Sequence, residues 1–360
     1  MFTLCTTAES VSLALENLLD AEYVFLDCEG RDLGCAPGAL SLISIGSPHA
    51  AEVYLFDVLA LPRDSLQLLF YSIFSLTSSA RAKTKVVWDG RMDYVELFYS
   101  YSCPIENVLD LQLVDVISRT KRGETEHKRL CRFVRKTFSM SEVRKLQLEE
   151  VYVLNGMDGA MREHKIDGVE MKNESVKKLH TDNLSEIWMQ RPLSDQLLDY
   201  AASDIKRIAK LYDHFVEHGY LKQREQLLDL SSCYVSMHYK TGKPDPENIY
   251  LRGPFLPLSV SLEINSTDDV RAPASSKECS GCGRTIPERH FPYELTTKNK
   301  GKKTPSGKMD ENVAPRASLC KICTLIVKKM RCAEKLKIEM EKKAQRTAAR
   351  AEAVIKDNIN

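Results

Sequence analysis

The sequence predicts an α/β fold built on a mixed central β-sheet, followed by a small metal-binding module and a C-terminal helix. Three observations lead to this prediction. A buried strand at 23–26 opens a run of three strands with short connections, which favours antiparallel pairing. A strand–helix–strand pattern between 85 and 110 favours parallel pairing in the same sheet. Finally, two Cys-x-x-Cys pairs precede a long segment rich in Ala, Glu, Lys and Arg.

Length and charge narrow the possible functions. The 360 residues have room for one large domain and one or two small ones. Residues 1–270 carry 30 Lys and Arg against 40 Asp and Glu, whereas residues 271–360 carry 21 against 10. We therefore expect contacts with a polyanion to depend on the basic last part, although a solvated tail fits the same pattern.

The sequence also gives an expectation about location. It has neither a secretory leader pattern nor an apolar run of membrane-spanning length. We expect a protein of the nucleus or cytoplasm that is neither secreted nor bound to a membrane. Inside the cell, we expect the 11 cysteines to be reduced thiols and metal ligands rather than members of disulfides.

The elements of the predicted sheet follow in chain order. Thr6 to Glu9 has the form of a capping box for a short amphipathic helix. The strand at 23–26 ends at Gly30, and strands at 39–45 and 52–58 complete an antiparallel meander. Further predicted elements are a helix over 65–74, a strand over 85–88, a helix to residue 101, a short strand over 107–110, a partly helical surface insertion over 119–150, a helix–loop pattern over 152–180 and a strong helix from residue 193.

Two carboxylates mark the exit of the first strand of the meander. Asp27 and Glu29 are two residues apart, a spacing that points both side chains to the same face of a strand. They repel each other unless a cation lies between them, and oxygen ligands suit Mg²⁺ or Mn²⁺. Acids at strand ends are also commonly just solvated, so this pair alone leaves both interpretations open.

Other residues join this pair in a larger pattern. Asp93 stands at a predicted helix start, and Tyr200 and Asp204 lie four apart on one face of the late helix. By itself that helix could simply carry a packed tyrosine and a solvated aspartate. Together, Asp27-x-Glu29, Asp93 and Tyr200-x₃-Asp204 resemble the three exonuclease motifs of the DEDD superfamily. The tyrosine indicates its DEDDy branch.

The flanking residues resemble the same family. Asp27-Cys-Glu-Gly30 with Gly38-Ala-Leu-Ser-Leu-Ile-Ser-Ile45 is similar to the first motif of 3′–5′ exonuclease domain-containing proteins. Trp188-Met-Gln-Arg-Pro-Leu193, followed by Leu198-Asp-Tyr-Ala-Ala-Ser-Asp204, is similar to the third motif of RNase D-like enzymes. Val108-Leu-Asp-Leu-Gln112 is similar to the short strand after their second motif. The resemblance covers about residues 5–220.

This resemblance implies an RNase H-like fold of the DnaQ and RNase D type. It also implies hydrolysis of nucleic acid from a single-stranded 3′ end, with RNA favoured over DNA. Two Mg²⁺ or Mn²⁺ ions about 4 Å apart would activate the water and stabilise the leaving 3′-oxygen. A catalytically inactive member that binds nucleic acid or acts as a scaffold is the alternative, and the complete set of motif residues argues against it.

The family assigns a role to each motif residue. Asp27 would bridge both ions. Glu29 and Asp204 would hold the ion beside the attacking water, and Asp93 would hold the second ion through water. Tyr200 would orient the nucleophile, because its phenol is too weak a base near neutral pH to deprotonate water unaided.

One stretch departs from the family pattern. The second motif of the family usually begins with a histidine, at a position expected near the terminal nucleotide. In this chain the corresponding stretch is Trp88-Asp89-Gly90-Arg91. Trp88 could stack on a base, or it could close the core at the strand end. Arg91 could contact a phosphate, or it could be a surface residue at a helix start. Asp89 and Asp110 are interpreted as supporting polar residues.

The two cysteine pairs, Cys279-x₂-Cys282 and Cys320-x₂-Cys323, resemble a Cys₄ zinc site of the treble-clef type. Four thiolates satisfy tetrahedral Zn²⁺, and a module this small needs a metal in order to fold. A pair of redox dithiols is the competing interpretation.

The residues around the cysteines complete the predicted organisation. His290 and Cys332 are spare candidate ligands, and 295–316 has the composition of a flexible loop. The module or the helix after it could bind a protein partner, while the Lys and Arg residues of the helix could follow a phosphate backbone. The predicted segments are an exonuclease domain over 1–222, an extension or linker over 223–275 that lacks a sustained period, a zinc module over 276–335 and a basic helical tail over 336–360.

Overall fold

A computed structural model describes the chain over ten ranges. They are residues 1–74, 83–134, 138–145, 148, 151–166, 185–237, 242–250, 253–257, 276–293 and 316–357. The loop predicted over 295–316, except Arg316, lies outside them, as does the helix–loop pattern predicted beyond residue 166. No helix within these ranges is both long and apolar enough to cross a lipid bilayer.

The chain divides into two compact units, each assembled from separate stretches. The first comprises Met1–Glu124, Leu154–Pro254 and Leu258–Asp268, and the second comprises Thr125–Val153, Phe255–Pro257 and Asp269–Asn360. The predicted insertion over 119–150 therefore falls mostly in the second unit, together with the cysteine module. The linear boundaries predicted after residues 222, 275 and 335 stay predictions.

The residues that the structure describes form the following strands and α-helices. The strands are β1 (Thr3–Cys5), β2 (Tyr23–Arg31), β3 (Ala39–Gly46), β4 (Val53–Asp57), β5 (Thr84–Val87), β6 (Val108–Asp110), β7 (Val151–Val153), β8 (Phe255–Pro257), β9 (Ser276–Glu278) and β10 (Thr285–Pro287). The α-helices are α1 (Ala8–Asn17), α2 (Arg63–Phe74), α3 (Arg91–Tyr101), α4 (Leu111–Lys121), α5 (Glu126–Val134), α6 (Met140–Lys145), α7 (Met157–Glu163), α8 (Asp195–Glu217), α9 (Arg224–Val235) and α10 (Lys321–Asp357).

The first unit contains a six-stranded mixed sheet in the order β1-β4-β3-β2-β5-β6. β2, β3 and β4 pair antiparallel, whereas β5 pairs parallel with β2 and β6 pairs parallel with β5. This confirms the predicted meander and the predicted parallel side. The short edge strand β1, parallel to β4, was not predicted.

Strand β2 is an interior strand and runs further than the sequence suggests. Its pairing with β3 continues to Arg31, across a register irregularity between Glu29 and Gly30. The prediction that Gly30 ends the strand is therefore wrong, because a bulge lets a strand accommodate one irregular residue without ending. β5 pairs only with Tyr23–Phe25, so the end of β2 that carries Asp27 extends past it.

The cap of α1 also differs from its prediction by one residue. The Thr7 hydroxyl, not that of Thr6, accepts the N–H of Ser10 at 3.2 Å. The Ser10 hydroxyl in turn accepts the N–H of Thr7 at 3.1 Å. A capping box is thus present, with serine in place of the predicted glutamate as its second member.

Helix α8 packs its apolar face on β2, β3 and β4. Ala201 and Ala202 on that face are buried and small, which lets the helix approach the sheet closely. Ile205 lies over Gly46 of β3, where a Cβ would come within 2.4 Å of the Ile205 Cγ2 atom. The close approach brings the middle of α8 to the strand that carries the predicted acids.

Helix α9 lies in the segment predicted to be an extension without periodic structure. It packs against β6, α3 and α4, so it belongs to the first unit. Leu227, Leu230, Tyr234 and Val235 are buried along it. The sequence does not predict this helix, because its apolar residues are few and are mixed with serines and a cysteine.

In the second unit, α5 is held by one buried arginine. Arg129 is 8% exposed and donates to the carbonyl oxygens of Leu148, at 2.8 Å, and Val151. β7 pairs antiparallel with β8, and the Phe133 and Phe255 rings stack with centroids 5.7 Å apart. The cysteine module and α10 complete this unit.

Candidate functional site

Three carboxylates meet where α8 packs against β2. Asp27, Glu29 and Asp204 each offer one oxygen, and these oxygens lie within 4.8 Å of one another. Glu29 and Asp204 are buried and Asp27 is half-buried. Negative charges gathered in a buried place are costly unless a cation compensates them. The oxygen-only donor set therefore fits Mg²⁺ or Mn²⁺.

Asp93 lies beside this group rather than within it. It stands in the first turn of α3, is 8% exposed, and its Oδ1 accepts the backbone N–H of Cys28 at 2.9 Å. That N–H lies beyond the part of β2 that pairs with β5. The Asp93 carboxylate therefore accepts a hydrogen bond that a carbonyl group of the neighbouring strand would otherwise accept. Burial raises the pKa of Asp93 to about 7, and a cation nearby would lower that pKa again.

Tyr200 precedes Asp204 by one turn of α8. The helix begins at Asp195, and the hydroxyl of Ser194 caps its first turn by accepting the N–H of Leu197. The Tyr200 ring is half-buried, with its centroid 6.3 Å from that of Trp188. The helix spacing thus holds Tyr200 on the side of α8 that carries Asp204.

Arg207 is a charged residue at this site that sequence reasoning missed. Its guanidinium is 2% exposed and lies 3.3 Å from Asp204 Oδ1, and it also pairs with Asp158 of α7. One buried cation is therefore shared between an acid of the site and a second acid. The available signal was its position three residues after Asp204, which places both on one helical face.

Trp88 and Arg91, in the stretch that differs from the second motif of the family, are buried. Trp88 is 9% exposed and packs in the core, as the core-closing interpretation expects. Arg91 is 7% exposed and pairs with Asp89 through two hydrogen bonds of 2.5 and 2.8 Å. Its guanidinium lies 5.0 Å from the Tyr234 ring centroid, so it is not a surface residue. Contacts of Trp88 and Arg91 with a substrate stay predictions.

Asp110 organises the turn that leads into α3. Its buried carboxylate accepts the N–H groups of Gly90 and Gln112, each at 2.9 Å. Burial raises the pKa of Asp110 to about 7. The Asp110 N–H donates to the Ser231 hydroxyl at 2.9 Å, and the Tyr234 hydroxyl donates to Gln112 at 2.6 Å. Helix α9 therefore supports the turn from which Asp93 is presented.

In the second unit, the four predicted cysteines form one buried cluster. The sulfur atoms of Cys279, Cys282, Cys320 and Cys323 lie within 4.8 Å of one another. The first pair follows β9 in a tight turn that Gly283 closes with a φ of +68°, a conformation that favours glycine. The second pair lies at the start of α10. This thiol-only donor set fits tetrahedral Zn²⁺.

Hydrogen bonds surround the sulfur atoms as they do in thiolate sites. The N–H of Cys320 donates to the Cys279 sulfur at 3.3 Å, and the Arg284 Nε donates to the Cys282 sulfur at 3.3 Å. Both donors would stabilise negative charge on sulfur. The spare candidates His290 and Cys332 are not members of the four-sulfur group.

Comparison with known proteins agrees with this architecture. A family model described as 3′-5′ exonuclease matches residues 2–219. A solved structure of the RNase D–GMP complex of Trypanosoma brucei is 22% identical with a TM-score of 0.53, covering 79% of this chain and 82% of that chain. A second structure of Trypanosoma brucei RNase D is 24% identical with a TM-score of 0.49, covering 68% and 74%.

A more distant match is Escherichia coli RNase D, described as an exoribonuclease involved in structured RNA processing. It is 18% identical with a TM-score of 0.41, covering 66% of this chain and 51% of that chain. No curated protein matches the chain significantly. The family match spans more than half of the residues and includes β2, α3 and α8. The chain therefore belongs to the 3′-5′ exonuclease family and has its RNase H-like fold.

Proposed function

We propose that the protein hydrolyses single-stranded nucleic acid from the 3′ end with two divalent metal ions, inside the cell, and that it prefers RNA to DNA. The observation that carries this proposal is the convergence of Asp27, Glu29 and Asp204 within 4.8 Å. The buried Asp93 beside them and Tyr200 one turn before Asp204 complete the donor set that phosphodiester hydrolysis requires.

Each residue has a distinct task in this proposal. Bound Mg²⁺ or Mn²⁺ would supply Lewis acidity toward the water and the leaving 3′-oxygen. Asp27 would be shared between the two ion positions, Glu29 and Asp204 would serve the position beside the water, and Asp93 would serve the other. Tyr200 would orient the water through its hydroxyl.

Digestion of labelled oligonucleotides tests the proposal. The full chain is incubated with 5′-labelled and 3′-labelled single-stranded RNA and DNA, with Mg²⁺, with Mn²⁺ and with EDTA. We expect 5′-labelled RNA to give a ladder that shortens from the 3′ end, and 3′-labelled RNA to release a labelled mononucleotide. A strand that is bound but stays intact under every metal condition would identify the inactive, binding-only alternative.

Arg207 gives a prediction about metal affinity. Arg207→Met is expected to bind Mn²⁺ about tenfold more tightly than the wild type, because a competing buried cation is gone from Asp204. Without metal the variant should be destabilised by about 3 kcal/mol, because the buried Asp204 and the half-buried Asp158 both lose the charge of Arg207. Asp158→Asn should do the opposite and weaken Mn²⁺ binding, because Arg207 then pairs with Asp204 alone.

Calorimetric Mn²⁺ titrations and melting temperatures with and without Mn²⁺ check both variants. Lys210→Met, which removes an exposed cation of the same helix, is the matched control and should bind Mn²⁺ as the wild type does. Weaker Mn²⁺ binding by Arg207→Met would mean that Arg207 positions Asp204 and does not compete with the ion.

The basic helix α10 gives a prediction about substrate binding. Lys335, Lys337 and Lys342 are exposed, and replacing all three with glutamine removes positive charge without cutting a compact unit. If they contact phosphate, the slope of log affinity against log salt should become shallower by about 2, since each contact with a single strand contributes about 0.7. Turnover at saturating substrate should stay unchanged.

Fluorescence anisotropy with labelled single-stranded RNA across a salt series measures this slope. The same helix offers a matched control in Glu334, Glu339 and Glu341, which are also exposed. Replacing those three with glutamine should leave the salt slope intact. Equal slopes for the wild type and the lysine variant would favour a protein partner for α10.

A further inference from the structure

The C-terminal end of α8, together with His218 that caps it, carries a group of side chains that the exonuclease proposal does not use. His214, Glu217 and His218 are spaced by three and four residues and therefore share one helical face. One donor atom from each lies within 4.8 Å of the other two. The two imidazole rings are stacked, with centroids 3.9 Å apart. Two imidazoles and one carboxylate form the donor set that transition metals prefer.

The tautomer of His218 follows from its hydrogen bond. Its Nδ1 lies 2.9 Å from the backbone carbonyl oxygen of His214. A carbonyl oxygen can only accept, so Nδ1 carries the proton and donates. In the neutral ring the lone pair is then on Nε2, the nitrogen left for an ion. Metal-binding histidines usually have this arrangement, with one nitrogen on the metal and the other donating to an oxygen.

The position of these side chains on the helix also suits a cation. The group stands at the carboxyl end of a 23-residue helix, where the helix dipole favours positive charge. The geometry of the three side chains and the direction of this dipole therefore agree.

We propose that His214, Glu217 and His218 bind a transition metal ion of the Zn²⁺ or Ni²⁺ class, with water completing its coordination. The same His-x-x-Glu-His spacing supplies both histidine ligands in one class of zinc hydrolases, and only the ligand function is inferred here. Ten residues separate Asp204 from His214, about 15 Å along α8, so the ion is distinct from those held by the carboxylates. It would hold the final turn of α8 together.

A metal titration of the full chain tests this proposal. The protein is first loaded with one equivalent of Zn²⁺ for the four cysteines and kept in excess Mg²⁺ to occupy the carboxylates. Ni²⁺ is then added and its binding is measured by equilibrium dialysis. We expect one further equivalent to bind in the wild type. Binding should be at least tenfold weaker in His218→Ala, whose side chain is exposed, and in His214→Ala.

Two further variants make the result unambiguous. Glu217→Gln keeps the shape of the side chain and removes its charge, and should weaken Ni²⁺ binding by a smaller factor. His49→Ala removes an exposed histidine that pairs with Asp213 and should bind Ni²⁺ as the wild type does. Ni²⁺ binding that is equal in the wild type and in His218→Ala, or absent from the wild type, would overturn the proposal.

Discussion

Asp27→Asn is expected to reduce exonuclease turnover by at least about a thousandfold, which corresponds to about 4 kcal/mol of transition-state stabilisation. Asp27 is the acid assigned to both metal positions, and a neutral amide oxygen is a far weaker ligand for Mg²⁺ than a carboxylate. Asn has nearly the same shape as Asp, so the backbone pairing of this residue with Ser44 should be kept. The change also removes one of several repelling charges, so the metal-free protein should not lose stability.

Single-turnover digestion and thermal unfolding of the same preparations check this expectation. Asp204→Asn should behave in the same way. Asp229→Asn, an exposed acid of α9, is the matched control and should keep wild-type turnover. Near-normal turnover by purified Asp27→Asn would refute the two-metal assignment. Loss of activity together with a much lower melting temperature would mean that Asp27 has a structural role.

Cys320→Ser is expected to remove the zinc ion and unfold the cysteine module. The described part of the module consists of two short strands, a short 3₁₀ helix over Glu288–His290 and the start of α10, so apolar burial alone is a weak source of stability for it. Structural zinc typically contributes about 10–16 kcal/mol of apparent binding free energy in peptides of this type. Loss of one of four thiolates should remove most of that stabilisation.

Elemental analysis should find about one zinc per chain in the wild type and almost none in Cys320→Ser. Limited proteolysis should then cut first near residues 276–293, while the fragment that carries α8 persists. Cys332→Ser, which changes a half-buried cysteine outside the cluster, is the control and should keep its zinc. A zinc-free wild type whose cysteines pair reversibly as disulfides would support the redox interpretation.

The parts of the fold that local patterns determine were predictable from the sequence. The two-residue spacing of Asp27 and Glu29 and the four-residue spacing of Tyr200 and Asp204 follow from the periods of a strand and a helix. The turn residues between the strands of the meander predicted that these strands pair antiparallel. The prediction that β2 ends at Gly30 is wrong because pairing with β3 outweighs the local preference of glycine for ending a strand.

The remaining features depend on contacts between residues far apart in the chain. Nothing near Arg207 indicates that Asp158 will be its second partner. The support that Ser231 and Tyr234 give to the turn before α3 likewise appears only once α9 is packed on β6. Such contacts satisfy buried polar groups across the fold, and no sequence period reports them.

The pairing of β7 with β8 has a consequence for biosynthesis. Val153 pairs with Phe255, and everything between them belongs to the other compact unit. A ribosome needs roughly 5 to 20 s to add these hundred or so residues. Throughout that time Phe133 lacks the ring on which it later stacks. The nascent second unit therefore exposes apolar surface to chaperones until long after its first segment has been translated.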